Sequence, residues 1–198
     1  AKIEGSNPFA RSKIMSQIVI HSEEEQKLRA DLDARHDIDA ERIKRYLNMA
    51  DLSRTEGSPL QEMVHRIKSI ADFENLDDIK IPEVVPADIS FDLFDFPKDH
   101  PARSKSDTYY VDEKNILRTH DTVMWYYFLN HPEVKEKIRN NEPVGVVCYG
   151  KVYRKDEIDR SHMNIFHQMG GLYLVPESKK IITLDDRKKV LAEIARGI

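Results

Sequence analysis

The chain lacks the features that hold secreted or membrane proteins together. It has one cysteine, Cys148, among 198 residues, so an internal disulfide is excluded. That cysteine sits in the apolar run from Val144 to Tyr149, where a small buried side chain is expected. No window approaches the roughly 18 consecutive apolar residues that a bilayer crossing requires, and the N-terminus has no apolar signal-peptide core. No membrane association is expected, and the cytoplasm is the expected compartment. Eight histidines are present, but His120, His162 and His167 have neither supporting cysteines nor local ligand spacing, so no metal-ligating residues are expected. Internal repeats and low-complexity segments are also missing.

What is present reads as a solvated globular chain: 40% hydrophobic and 33% charged residues. The formal net charge of -4 argues against broad electrostatic attraction to nucleic acid, although a local basic patch is compatible with it. Residues 1–14 show no period and precede Met15, which reads as a vector-derived tail.

Local signals then divide the chain. Ser22 and Glu25 have capping-box spacing ahead of a helix through Leu28 and Leu32. Ile43, Tyr46 and Leu47 share one face of a second helix, and together the two form a helical extension over 15–55. Ser58, Pro59 and Gln61 start a further helix with an apolar stripe of Leu60, Met63, Val64, Ile67, Ile70 and Ala71. From Ile79 to Pro101, the apolar pieces are punctuated by Pro82, Pro86 and Pro97, which favours extended chain and turns over helix. Thr108 to Val111 and Ile116 to Leu117 read as an antiparallel pair of strands around a turn. Residues 121–139 read as helix to Asn130 and again after Pro132. Pro143 to Arg154 and Ile165 to Val175 read as strands joined by a polar loop, and Thr183 caps a last helix. The expected class is α+β, an antiparallel sheet flanked by helices.

On the strand from Ile165, alternation puts Phe166, Gln168 and Gly170 on one face and Ile165, His167 and Met169 on the other. An aromatic ring, an amide and a gap make a poor core face but a workable pocket floor, since the ring can stack on a planar base. Arg154 ends the preceding strand, where its fork can grip a phosphate. His167 is turned away and is expected to serve packing.

The residues Gly150 to Arg154, the spacing to His162, and Phe166-His167-Gln168 resemble motif 2 of the phenylalanyl-tRNA synthetase alpha subunits. Phe96 to Arg103, Asp107 to Tyr109 and Leu117 to His120 resemble that family's approach to the phenylalanine site, and Pro82 falls at its motif 1 proline. The resemblance covers roughly residues 56–198, the front part of a class II catalytic domain, and implies the following. Arg154 is the catalytic residue, binding the α-phosphate of ATP and the phenylalanine carboxylate. ATP is also bound by Asp156, His162 and Phe166, and Mg2+ neutralises the leaving pyrophosphate. His120, Thr122 and Gln168 surround the amino group and backbone of phenylalanine. The tRNA for phenylalanine and a beta subunit in an α2β2 assembly are the implied partners.

Three positions depart from the pattern. Gly170 stands where the family places a glutamate facing the substrate ammonium, Asp156 replaces a glutamate, and Trp125 replaces a glutamine. The aromatic specificity segment and motif 3 belong past Ile198. The chain is therefore expected to be part of a longer ligase subunit, or else a synthetase-like nucleotide or RNA-binding module without catalysis.

Overall fold

A computed structural model describes residues 17–73 and 75–198. The tail at 1–14 and Met15 lie outside the described residues. In chain order the elements are β1 (Gln17–Val19), α1 (Glu23–Asp33), α2 (Ile38–Asn48), α3 (Pro59–Lys68), β2 (Asp77–Lys80) and β3 (Val84–Pro86). They continue with α4 (Ala87–Phe91), β4 (Asn115–Leu117), α5 (Met124–Asn130), α6 (Pro132–Arg139), β5 (Val144–Tyr153), β6 (Ile165–Leu174) and α7 (Leu184–Gly197). Short 3-10 turns lie at Asp92–Phe94, Pro101–Arg103 and Asp121–Val123.

The main sheet has the order β1-β2-β5-β6, and a small two-stranded sheet pairs β3 with β4. Antiparallel pairing holds between β5 and β6 over their whole length, from Val144 opposite Leu174 to Tyr153 opposite Ile165. It does not hold throughout. β1 and β2 run parallel to β5, so the sheet is mixed, because the chain returns to β2 and β5 by crossovers that contain helices. The α+β class stands.

Local chemistry explains most of the elements. Ser22 caps α1 by accepting from the amide of Glu25, but the reciprocal half of the box does not form. The Glu25 carboxylate instead pairs with Arg29 and accepts from the Glu83 amide, a stronger use of its charge in a partly buried place. Thr183 and Asp186 make a complete capping box at α7. α3 has Ser58 as cap and Pro59 in the first turn, and it stops at Lys68, so Ile70 and Ala71 lie past its end. The stretch expected to be extended contains α4, because Pro86 occupies the N-cap of that helix, where a missing N–H costs nothing. The expected antiparallel pairing appears as a short bridge of Tyr110 to Ile116 flanked by bonds from the Leu117 amide to Tyr109 and from the Val111 amide to Asn115, and β4 forms its ladder with β3 on its other edge.

β5 is buried along all ten residues, as a strand covered on both faces must be. Its even positions Val144, Val146 and Cys148 enter a core with Ile79, Phe91, Met124, Phe128 and Val134. Burial there pushes the Cys148 thiol up to about 11, which keeps it an inert thiol. Its odd positions face α1 and α2, where Tyr153 joins Leu32, Ile43, Tyr46, Leu47 and Leu117 in a second cluster.

On that odd face Lys151 is almost wholly buried, with 2% exposure. Its ammonium donates to the carbonyls of Tyr46, Leu47 and Met49 at the end of α2, at 3.2, 3.0 and 2.6 Å. It also pairs with Glu83 at 3.1 Å, and Glu83 accepts from the Tyr153 hydroxyl at 2.6 Å. The last carbonyls of α2 lack intrahelical partners, so a cation there satisfies orphan acceptors and suits the helix dipole. Lys151→Met keeps the volume but removes the buried cation from Glu83, which keeps only Arg29 and the Tyr153 hydroxyl, and leaves the Leu47 and Met49 carbonyls without this donor. It is expected to lower stability by about 3–5 kcal/mol, read as a shifted urea midpoint; an unchanged midpoint would remove this node from the stability of the fold.

Candidate functional site

The β5–β6 pairing builds the site floor. Val152 lies opposite Phe166, Gly150 opposite Gln168 and Cys148 opposite Gly170, so Phe166, Gln168 and Gly170 do share a face. Arg154 follows β5 and is tied to the other side of the hairpin through its own amide, which donates to the Asn164 carbonyl at 3.0 Å. Its guanidinium lies 5.2 Å from the centre of the Phe166 ring, and its Nε reaches the Thr119 carbonyl at 3.4 Å. Stacking orients the fork while leaving its outer edge exposed.

The second wall comes from the turn that follows β4. His120 Nε2 lies 3.1 Å from the Ser90 carbonyl, and a carbonyl can only accept, so Nε2 carries the proton. Nδ1 then accepts from the Thr122 hydroxyl. The imidazole is neutral in this arrangement, and burial holds its pKa below the usual histidine value. Phe94 packs edge-on against the ring at 5.1 Å and also touches Trp125 at 5.6 Å. Gln168 Oε1 accepts from the Asp121 amide at 3.2 Å, which ties this wall to the floor and leaves the Gln168 amino group to donate elsewhere.

The loop between the two strands is organised by residues that pattern reading did not single out. Asn164 is buried, and its Nδ2 donates to the carbonyls of Arg154 and Asp156 while its Oδ1 accepts from the Tyr46 hydroxyl. The base of the loop is thereby pinned to α2. Asp159 accepts from the amides of Ser161 and His162, both at 2.7 Å, and from His162 Nδ1 at 2.9 Å. The bond to Asp159 raises the His162 pKa. His162 and Asp156 stay on the exposed loop, apart from the floor group of Arg154, Phe166, Gln168, His120 and Thr122.

His167 is on the back face, where its Nε2 accepts from the Leu52 amide at 3.0 Å and lies 3.4 Å from Asp51. The packing role expected for it fits this placement. Gly150, at a φ of 149°, is a glycine by necessity: a Cβ there would fall 2.5 Å from the buried Arg118 guanidinium. Arg118 donates to the carbonyls of Lys151 and Ile81 and so braces the floor from behind. Arg118 falls within the Leu117 to His120 segment that carries the resemblance, but no local signal gives either Arg118 or Asn164 its bracing role.

Among the described residues no cluster of three or more histidine, cysteine or acidic side chains is arranged to hold a metal ion. Magnesium needs less than that when it arrives with phosphate oxygens, commonly one or two carboxylates. Asp156 is an exposed carboxylate on this loop that meets such a requirement.

The chain was compared with known proteins. The family described as tRNA synthetases class II core domain (F) matches residues 43–198. The mitochondrial phenylalanine–tRNA ligase of Saccharomyces cerevisiae is 45% identical over 93 residues, 46% of this chain and 19% of that protein. A phenylalanine–tRNA ligase alpha subunit from Desulforamulus reducens is 35% identical over 70% of this chain and 37% of its own length. One from Symbiobacterium thermophilum is 31% identical over 80% of this chain and 44% of its own length. The chain thus spans less than half the length of these relatives. A crystal structure of pyrrolysyl-tRNA synthetase from Desulfitobacterium hafniense superposes with a TM-score of 0.52 at 18% identity, covering 89% of this chain and 66% of that one, which is a likeness of fold. The family match begins within α2 and includes both strands of the floor and the turn above it, and the chain belongs to the class II tRNA synthetase core-domain family.

Proposed function

We propose that this chain is the part of a phenylalanine–tRNA ligase alpha subunit that activates phenylalanine with ATP. The observation that carries the reading is the Arg154 guanidinium held on the Phe166 ring at the edge of a floor whose other polar groups are Gln168, His120 and Thr122. In the reaction, the phenylalanine carboxylate oxygen attacks the α-phosphorus of ATP, a P–O bond forms, and pyrophosphate leaves with the bonding pair. The aminoacyl group then passes to the terminal ribose of the tRNA, releasing AMP.

Arg154 lies where carboxylate and α-phosphate oxygens meet. Its fixed positive charge lowers the energy of the pentacovalent arrangement, in which negative charge accumulates on the equatorial oxygens. Phe166 supplies a flat face for adenine, worth about 1–3 kcal/mol for a base stacked on an aromatic ring. Gln168 and the His120–Thr122 pair fix the backbone of the amino acid, and His162 and Asp156 attend the outer phosphates. Asp156 is the carboxylate that would hold a magnesium ion brought with ATP, whose charge would offset that of the departing pyrophosphate.

The same proposal includes a beta subunit in an α2β2 assembly, the phenylalanine tRNA as second substrate, and the cytoplasm as compartment. It also treats 15–55 as a helical extension and 56–198 as the front part of the catalytic domain. Among the described residues no helix is long and apolar enough to cross a membrane. The competing reading, a non-catalytic nucleotide or RNA-binding module, rests on Gly170 in place of an acid.

One measurement separates these readings and a second tests the phosphate-binding loop. In phenylalanine-dependent pyrophosphate exchange by the full-length protein with its partner subunit, Arg154→Ala is expected to cut kcat by roughly 10²–10³-fold, the loss typical of one transition-state donor. Exchange at the wild-type rate would take Arg154 out of the chemistry, and no exchange from the wild type would favour the binding module. The second measurement is the pH dependence of ATP affinity by calorimetry. His162 attracts phosphate only when protonated, and Asp159 raises its pKa, so its contribution is present at low pH and lost as pH rises through that raised value. Asp159→Asn should move this loss to lower pH, and His162→Gln should flatten it.

A further inference from the structure

Gly170 lies on the floor face, two residues along β6 from Gln168 and opposite Cys148. A Cβ at this position would fall 1.9 Å from Oδ2 of Asp121 and 2.9 Å from its Cγ, a separation no side chain tolerates. The space above Gly170 therefore belongs to the Asp121 carboxylate. Asp121 opens the 3-10 turn between His120 and Thr122, and the hydrogen bond from its amide to Gln168 Oε1 fixes its height over the floor.

Asp121 is only 9% exposed, and no cation among the described residues is in ion-pair contact with its carboxylate. Burial drives its pKa up, only partly offset by the backbone amides of Asp121 and Thr122, and the side chains of His120 and Arg118 stand at a distance. Neither is at its disposal. The Arg118 guanidinium is committed to the carbonyls of Lys151 and Ile81, and His120 is held neutral between Ser90 and Thr122. Arg154 is engaged with Phe166 and Thr119. A buried carboxylate without a counter-charge is costly, and it becomes favourable when a cation with donors enters the site.

We propose that Asp121, seated on Gly170, is the residue that binds the ammonium group of the amino acid substrate. A primary ammonium has three donors and no acceptor. Asp121 takes one or two of them, and Gln168 and Thr122 flank the same point from the floor and the turn. Glycine at 170 is then a requirement, since any side chain there displaces the carboxylate. The charge that the family resemblance places at position 170 is supplied from position 121 instead. This inference rests on the amino-acid-activating function proposed above.

The test uses the full-length protein with its partner subunit and measures pyrophosphate exchange, with KM for phenylalanine and for ATP taken separately. Four proteins are compared: wild type, Asp121→Asn, Gly170→Ala, and the double variant Asp121→Ser with Gly170→Glu. Inhibition by hydrocinnamic acid, which lacks the ammonium, is measured alongside. Asp121→Asn is expected to raise the phenylalanine KM by roughly 30-fold or more while the ATP KM stays within about twofold, and to strengthen hydrocinnamic acid relative to phenylalanine. Gly170→Ala should behave alike, and the double variant should recover phenylalanine affinity because the carboxylate returns to the floor. An Asp121→Asn protein with an unchanged phenylalanine KM, in a wild type that does exchange, overturns the ammonium assignment alone. A wild type that exchanges with no amino acid overturns the activation reading and the assignment with it. If Asp121→Asn fails to fold, the double variant decides: recovered affinity supports the assignment, and a folded double variant without it rejects it.

Discussion

Everything at the candidate site depends on the antiparallel register of β5 and β6. A shift of one residue would send Phe166, Gln168 and Gly170 to the side of α1 and α2 and bring His167 and Met169 to the floor. The register is held from both faces. On one, Val144, Val146 and Cys148 are locked in the core; on the other, Lys151 and Tyr153 are anchored to Glu83 and to the end of α2. A strand buried on both sides cannot slip without exposing apolar groups and stranding a buried ammonium, so the hairpin serves as a rigid base for polar chemistry.

Placing the site at one end of a strand whose other end is core has a second consequence. The same even positions that pack Phe128 and Val134 at the start of β5 become Gly150, Val152 and Arg154 towards its end. The glycines mark the change. Gly150 admits the Arg118 guanidinium from behind and Gly170 admits the Asp121 carboxylate from above, so charged groups approach the backbone where bulky side chains would exclude them. Around that pair the residues are neutral or already engaged, which concentrates the unmet charge in one place.

Much of this could be read from residue order. Arg154, Phe166 and Gln168 were expected on one face because strand alternation is strictly two-residue, and the strand came with its valines, tyrosines and flanking prolines. Helix starts at Ser22, Ser58 and Thr183 announced themselves through caps, which are local hydrogen bonds between residues three or fewer positions apart. Where the reading went astray, the cause was a contact between distant residues. Glu25 abandoned its own capping box for the Glu83 amide, 58 residues away, and β4, besides its antiparallel bonds to Tyr109 and Val111, gained a second partner in β3. Parallel pairing of β1, β2 and β5 likewise leaves no mark within any one strand.

The amino-acid order therefore determined most of the elements, the faces of the two floor strands, and the identity of Arg154, Phe166 and Gln168 on the floor, because propensity, capping and alternation act over a few residues. Tertiary structure alone decided that Lys151 is an internal anchor, that Asn164 ties the loop to α2, and that Asp121 occupies the volume Gly170 leaves open. Those facts depend on which groups meet across tens of residues, and burial gives them their energetic weight: a charge that would be inconsequential in water becomes, once desolvated, a group that must be answered by the fold or by a ligand.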